Sequence, residues 1–265
     1  MSTIQPVSPA RHAGLRWRGS ASYRFAATTA VVPLAAAEVA KAALALPLAF
    51  IQRDDHWGLA AVLGLLPGQN LYVDGNGAWL ARYVPAGFRG YPFLIGTQAN
   101  GEPTLCVDEA SGLVGEGTEG ELFFDEAGAL SPSVAQVATF LTETARSEAA
   151  LMEACDLLVK AGVVEVWPIT VQGEQGTQHV AGLYRVNETA LNGLDDATYS
   201  ALRRSGVIAV AYAQLLSTGN LTQLGQLAQA RAQAEAAERA KAEVKPIITL
   251  PEESTIDWDW SKIGR

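Results

Sequence analysis

The 265-residue chain has only two cysteines, three histidines and two methionines, and each scarcity closes off a class of chemistry. Cys106 and Cys155 stand outside any CxxC or Cys/His spacing. A disulfide framework, a zinc clip and a vicinal redox pair are therefore not expected, and a reducing, cytoplasmic setting fits. His12, His56 and His179 form no HxxxH or HExxH spacing, so a metal site would have to draw on distant ligands, and neither metal nor cofactor is expected. Basic residues are also short: 19 Lys and Arg stand against 28 Asp and Glu, a formal charge of -9. That balance repels phosphate backbones and anionic lipid surfaces, so nucleic acid and membrane surfaces are not expected partners. No apolar run reaches the roughly 20 residues of a membrane span. The nearest, Ala26 to Ile51, holds Glu38 and Lys41 and is broken by Pro33 and Pro47. Residues 1–20 carry Arg11, Arg16 and Arg18 without a continuous apolar stretch, and read as a mobile arm instead of a secretory signal.

What is present is a chain with 49% hydrophobic and 18% charged residues, enough to bury one sizeable core. A strand is expected over Tyr23 to Val32, and a short Ala-rich helix over Ala35 to Leu46 that stops before Pro47. Strand patterns follow at Leu48 to Gln52, Leu59 to Leu65 and Asn70 to Val73. Asp74-Gly75-Asn76-Gly77 supplies residues that tolerate positive φ, which predicts a hairpin into Ala78 to Tyr83. A second hairpin is expected at Asn100-Gly101, between Tyr91 to Thr97 and Thr104 to Asp108. The clearest helix runs from about Ser133 to Ala161: Pro132 suits its first turn, Ser133 and Gln136 fit a capping box, and Gly162 ends it. Val134, Val137, Leu141, Ala145, Met152, Cys155 and Val159 recur three or four apart and mark its core face.

Paired strands are expected over Val163 to Val171 and His179 to Val186, then a helix over Asp195 to Ser205 and an apolar segment, helix or strand, over Gly206 to Leu216. Residues 221–244 have strong helical propensity and would extend about 36 Å as one helix. With no strict βαβ alternation, the pattern predicts an α+β fold. It would have a mostly antiparallel mixed sheet with helices packed on one side, a long C-terminal helix and an extended tail. The domain divisions are an arm (1–20), one α+β domain (21–220), the Ala-rich helix (221–244) and an acidic, Trp-bearing tail (245–265).

Several strings have the letters of a chemical motif without its context. Gly115-Glu116-Gly117-Thr118-Glu119-Gly120 is a literal GxGxxG, but Glu116, Glu119 and Glu121 would repel a pyrophosphate, and the following Leu122-Phe123-Phe124 favours a strand over a helix. An acidic surface loop is the better reading. Asp54, Asp55 and His56 could bind a metal or move a proton, yet they fit a solvated turn between two strands equally well. There is no GxSxG elbow, and Cys106 and Cys155 read as packing residues.

One block stands out. Between Asn70 and Phe93 lie Tyr72, Trp79, Tyr83, Phe88, Tyr91 and Phe93, interleaved with Arg82 and Arg89. Tyr and Trp join a large apolar face to a polar edge, and Arg clamps carboxylates, so the mixture suits a recognition surface. The competing reading is that the rings fill the core. Tyr72, Trp79, Tyr83, Arg89 and Tyr91 are the candidate binding residues. In the tail, Ile256, Trp258 and Trp260 alternate with Asp257 and Asp259, so an extended chain would present one apolar face for docking on its own core, a second subunit or another protein. A homodimer through the C-terminal helix and tail is one form this would take.

The same block carries a family resemblance. Asn70-Leu71-Tyr72-Val73-Asp74, Gly77-Ala78-Trp79, Tyr83-Val84-Pro85-Ala86 and Arg89-Gly90-Tyr91-Pro92-Phe93 resemble the central block of the bacterial SapC family. Gly64 to Gln69, Cys106-Val107-Asp108-Glu109, Leu122 to Asp125 and Gly182 to Val186 fit the family pattern in order, and the similarity covers Tyr23 to Leu224. Gly90 departs from it, since the family more often has a second arginine there. The resemblance implies a protein associated with surface arrays and with halogenase-like or cupin-like partners. It carries over no catalytic residue. The peptide-transporter permease of the same name needs several membrane spans and is a different protein.

Three functions remain in view. The first is an accessory or binding protein that recognises a peptide, a protein partner or a small anionic ligand through the aromatic and arginine block. The second is a peptide- or amino-acid-modifying enzyme, for which Asp54, His56 and Arg89 would have to converge in one pocket. The third is a structural role in a surface layer.

Overall fold

The structure, a computed structural model, describes residues 4–98, 101–173 and 176–242. The strands are β1 (Ile4–Pro6), β2 (Arg16–Trp17), β3 (Val31–Pro33), β4 (Leu48–Arg53), β5 (His56–Val62), β6 (Phe93–Thr97), β7 (Pro103–Asp108), β8 (Val114–Gly115), β9 (Glu121–Leu122), β10 (Val164–Val166), β11 (Thr170–Gly173), β12 (Gly176–His179) and β13 (Tyr184–Val186). The helices are α1 (Pro9–His12), α2 (Val39–Ala43), α3 (Ala86–Arg89), α4 (Pro132–Lys160), α5 (Glu188–Asn192), α6 (Asp196–Arg204), α7 (Ile208–Ser217) and α8 (Leu221–Ala242). The chain divides into two compact units, Met1–Leu227 and Ala228–Arg265.

The fold is α+β, as its pattern predicts, and every strand pairing among the described residues is antiparallel. The strands divide among several sheets, of which the largest has the order β10-β13-β4-β5-β3. Its centre is the β4–β5 hairpin, whose inner residues Leu48, Ala49, Phe50 and Leu59 to Val62 are fully buried. Its outer end, Arg53 to His56, emerges into solvent. The two-residue Asp54-Asp55 turn closes it, with Asp54 at φ 52°, a conformation Asp tolerates better than most residues. α4 packs along β5, α7 along β4 and β13, and α4 and α7 also meet, which groups the two helices on one side.

α4 is capped two residues earlier than its sequence suggests. Ser131, not Ser133, accepts the Val134 N–H (3.4 Å), Pro132 takes the first helical position, and Gly162 at φ 73° ends the run. The helix buries Val134, Leu141, Leu151, Cys155 and Leu158. Gly206 to Leu216, ambiguous in sequence, is largely α7. Its Gln214 is fully buried, accepts the Val186 N–H (2.9 Å) and donates to the Leu48 carbonyl (3.1 Å). Ser217 accepts the Leu48 N–H (3.0 Å), so one helix satisfies backbone groups that the sheet cannot.

The arm expected over residues 1–20 is instead tied to the rest of the fold from Ile4 onward, though among these residues only His12 is fully buried. β1 pairs with β7, β2 lies between β8 and β9, and Val7, Leu15 and Trp17 pack on a cluster of Phe93, Val107, Phe123, Phe124, Val134 and Leu141. His12 is fully buried against Phe123, and Arg11 binds Glu109. The apolar residues that anchor this segment are spaced singly, which hides them from a search for continuous hydrophobic runs.

The strand expected over Tyr23 to Val32 is a 3-10 turn at Arg24–Ala26 followed by β3. In the second unit the described residues are the continuation of α8, with an Arg231–Glu235 pair (3.3 Å) one turn apart. The tail residues Ile256, Trp258 and Trp260 lie outside the described residues.

Candidate functional site

The segment from Asn70 to Pro92 has little regular structure, and side-chain hydrogen bonds hold several of its turns, although the buried Tyr72 hydroxyl has no hydrogen-bond partner among the described residues. Asn70, fully buried, donates to the Ala26 carbonyl (3.0 Å) and accepts the Tyr72 N–H (2.9 Å). Asp74 accepts the N–H groups of Asn76 (2.9 Å) and Ala78 (2.7 Å), so the expected turn forms. The expected hairpin is short: Val73 bridges Trp79, flanked by the Asp74 N–H on the Ala78 carbonyl (3.0 Å) and the Leu80 N–H on the Tyr72 carbonyl (2.9 Å). Gly77 has φ 85°, and a Cβ there would meet the Ser22 hydroxyl at 2.0 Å, so the turn presses on the chain before β3.

The rings of this block mostly face one another. Phe25 stacks on Tyr91 with centroids 3.9 Å apart and planes 7° apart. Phe88 meets both Phe25 (5.9 Å) and Trp79 (5.8 Å), and Tyr72 lies against Trp79 (5.8 Å). Tyr72 is 0% exposed. It belongs to the core and touches no partner at the surface, and burial pushes its phenol up to about 12. Trp79 is half-buried and donates its indole N–H to the Tyr83 carbonyl (2.8 Å). Tyr91, also half-buried, donates to Asp108 (3.1 Å).

Tyr83 and Arg89 are organised by a residue that sequence reasoning treated only as an interruption of an apolar stretch. Glu38 has a side chain 5% exposed. Its Oε1 accepts the Ala35 N–H (2.9 Å), and its Oε2 accepts the Tyr83 hydroxyl (2.7 Å) and the Ala86 N–H (2.7 Å). A buried carboxylate is costly unless hydrogen-bonded, and these three donors meet that need. Burial, and then the bond to Glu38, push the Tyr83 phenol well above its ordinary range. A lone Glu in an Ala-rich stretch was the available signal.

Arg89 lies at the outer edge of this network with its side chain 44% exposed. It donates to the Tyr83 hydroxyl at 3.3 Å and stands 3.9 Å from Glu38 Oε2. The guanidinium also lies over two rings, Tyr83 (5.7 Å to the centroid) and Phe140 of α4 (5.1 Å). Aromatic faces hold a guanidinium without consuming its N–H donors. Of the five candidate residues, Tyr83 and Arg89 thus meet at the surface, Trp79 bonds the Tyr83 carbonyl, Tyr91 makes its contacts with Phe25 and Asp108, and Tyr72 is buried against Trp79. Phe140 joins from a helix distant in sequence.

His56 belongs to another cluster. Its Nδ1 lies 3.1 Å from Asp156 Oδ2 on α4, while Asp156 Oδ1 accepts the Trp57 N–H (2.9 Å). The hydrogen bond and charge of Asp156 raise the His56 pKa. Asp54 and Asp55 form the neighbouring turn. His56 and Arg89 therefore make their polar contacts with different partners instead of converging. Among the described residues no group of three or more His, Cys, Asp and Glu side chains could hold a metal ion. The GxGxxG string is the loop between β8 and β9 and precedes a strand. Burial pushes the Cys155 thiol up to about 12, which leaves it unreactive. No helix among the described residues is long and apolar enough to cross a membrane.

The family model described as SapC matches residues 7–224, so the chain belongs to the SapC family. No curated protein and no solved structure shows significant similarity to it.

Proposed function

We propose that this chain is an accessory binding protein that takes an anionic group, carried by a small molecule or by a peptide or protein partner, at Arg89. The observation that carries the reading is the division of labour around Glu38. The carboxylate is already satisfied by Ala35, Tyr83 and Ala86, and Arg89 approaches it only to 3.9 Å. The guanidinium is therefore held by two rings and one long hydrogen bond in a side chain 44% exposed, which leaves donors for a carboxylate. Flanking rings add apolar contact for the body of such a ligand. The enzymatic alternative needs Asp54, His56 and Arg89 together, and their separate partners favour a binding role.

Titration with benzoate, and separately with a capped peptide bearing one glutamate, distinguishes small-molecule from peptide sources of the anion. At least one should raise the melting temperature of the wild-type protein. Arg89→Ala should abolish that rise while its own melting temperature stays within about 4 °C, a change of roughly 1 kcal/mol or less. Equal ligand responses in wild type and Arg89→Ala would remove the reading.

A further inference from the structure

The two edges of the five-stranded sheet are not equivalent. Along β3, Leu34 N–H bonds the Leu59 carbonyl and Leu63 N–H bonds the Ala30 carbonyl, so Val31 and Pro33 are the residues that face outward. Pro33 has no N–H, which blunts this edge against added strands. Along β10, Trp167 N–H bonds the Leu183 carbonyl and Asn187 N–H bonds the Val163 carbonyl. With Glu165 opposite Arg185 in the same register, Val164 and Val166 turn their backbone groups away from β13. That edge presents two N–H and two C=O groups without proline, and among the described residues no strand pairs with it. Val166 is 64% exposed.

Beside this edge opens a cleft of about 890 Å³. Trp167, almost buried, Tyr212 and Leu216 give it apolar walls, with Leu216 79% exposed. Its charged residues are Glu165, Arg185 and Glu188. Arg185 is already committed to Glu165, through Nε (2.9 Å) and Nη2 (2.8 Å), so the negative charge of Glu188 is left over. Glu165 of β10 and Trp167 just after it face the cleft, and Val164 and Val166 face the other way.

We propose that β10 and this cleft form a docking surface for an extended segment of a partner protein, added as a sixth strand, basic where it faces the cleft and apolar beside Val166. Backbone pairing supplies the attachment and the alternating side chains the selectivity. This surface is distinct from the Arg89 site, and either can fail without the other.

The probe is a capped hexapeptide alternating lysine and valine, with its glutamate–valine counterpart as control, added to the full chain. Amide hydrogen exchange at Val164 and Val166 should be fast in the free protein. It should slow about tenfold at a lysine peptide concentration ten times its Kd, with the glutamate peptide inactive. Val166→Pro removes one outward donor and should abolish the protection. Should that variant not fold, Glu188→Lys leaves the backbone intact and should reduce the preference for the lysine peptide. No protection by the lysine peptide, or equal protection by both peptides, overturns the proposal. Amides already slow in a chain that sediments as a dimer would also overturn it, and would assign the edge to a second copy.

Discussion

Gly90 sits so close to α4 that a Cβ there would lie 2.6 Å from Leu141 Cδ2 and 3.2 Å from its Cγ. Its φ of -83° is ordinary, so the requirement is for space and not for an unusual backbone. In this chain a side chain at position 90 therefore competes for space with Leu141. Gly90→Ala should destabilise by about 1–3 kcal/mol through overpacking. Leu141→Ala alone should cost about 2–5 kcal/mol. Chemical denaturation should find the double variant less destabilised than the two effects added, because each change relieves the other. Glu38 offers a second test at this scale. Glu38→Gln keeps the volume but loses an acceptor and the charge, leaving one of three buried donors poorly matched, which costs about 1–3 kcal/mol. Ultraviolet titration should show the Tyr83 phenol moving part of the way back, since burial remains while the bond to Glu38 is weakened.

At the scale of elements, the tip of the β4–β5 hairpin is fastened to α4 by Arg53 on Glu148 (3.3 Å) and by His56 on Asp156 (3.1 Å). Asp156 raises the His56 pKa above its ordinary value. A raised folded-state pKa stabilises the fold fully below the unfolded value near 6.5, and the contribution is lost as pH rises through the folded value. A proton NMR titration should place the His56 midpoint above 6.5 in the wild type, and Asp156→Asn should bring it down. Both partners are substantially solvent-exposed, so the effect on global stability should be small. A wild-type midpoint at or below the ordinary value would show that the two side chains do not pair in solution.

For the whole molecule, the family match at residues 7–224 falls within the first unit, which ends at Leu227. Residues 245–265 lie outside that match and outside the described residues, and from their alternation of Ile256, Trp258 and Trp260 with aspartates we propose that they dock on another surface. Removing them should change at least one of mass in solution, thermal stability and retention of a partner. A truncated chain that equals the full-length protein in all three would assign no docking to the tail.

Periodicity and turn chemistry act over neighbouring residues, which is why α4, α6, α8, the β4–β5 pair and the Asp74 to Gly77 turn were legible in the sequence by itself. The ordered matches from Asn70 to Phe93 likewise marked the family, and the acidic balance opposed nucleic acid. Which aromatic residues face solvent was not legible, because that depends on what lies above each ring: Tyr72 is covered, while Arg89 emerges over Phe140, a residue of α4 brought there only by packing. Glu38 likewise acquired its donors from Tyr83 and Ala86, 45 and 48 residues away. The N-terminal segment is held on the fold because β7, β8 and β9 pair with it. Tertiary structure decided these matters, since burial, buried charge compensation and edge pairing are properties of surfaces that meet across the chain.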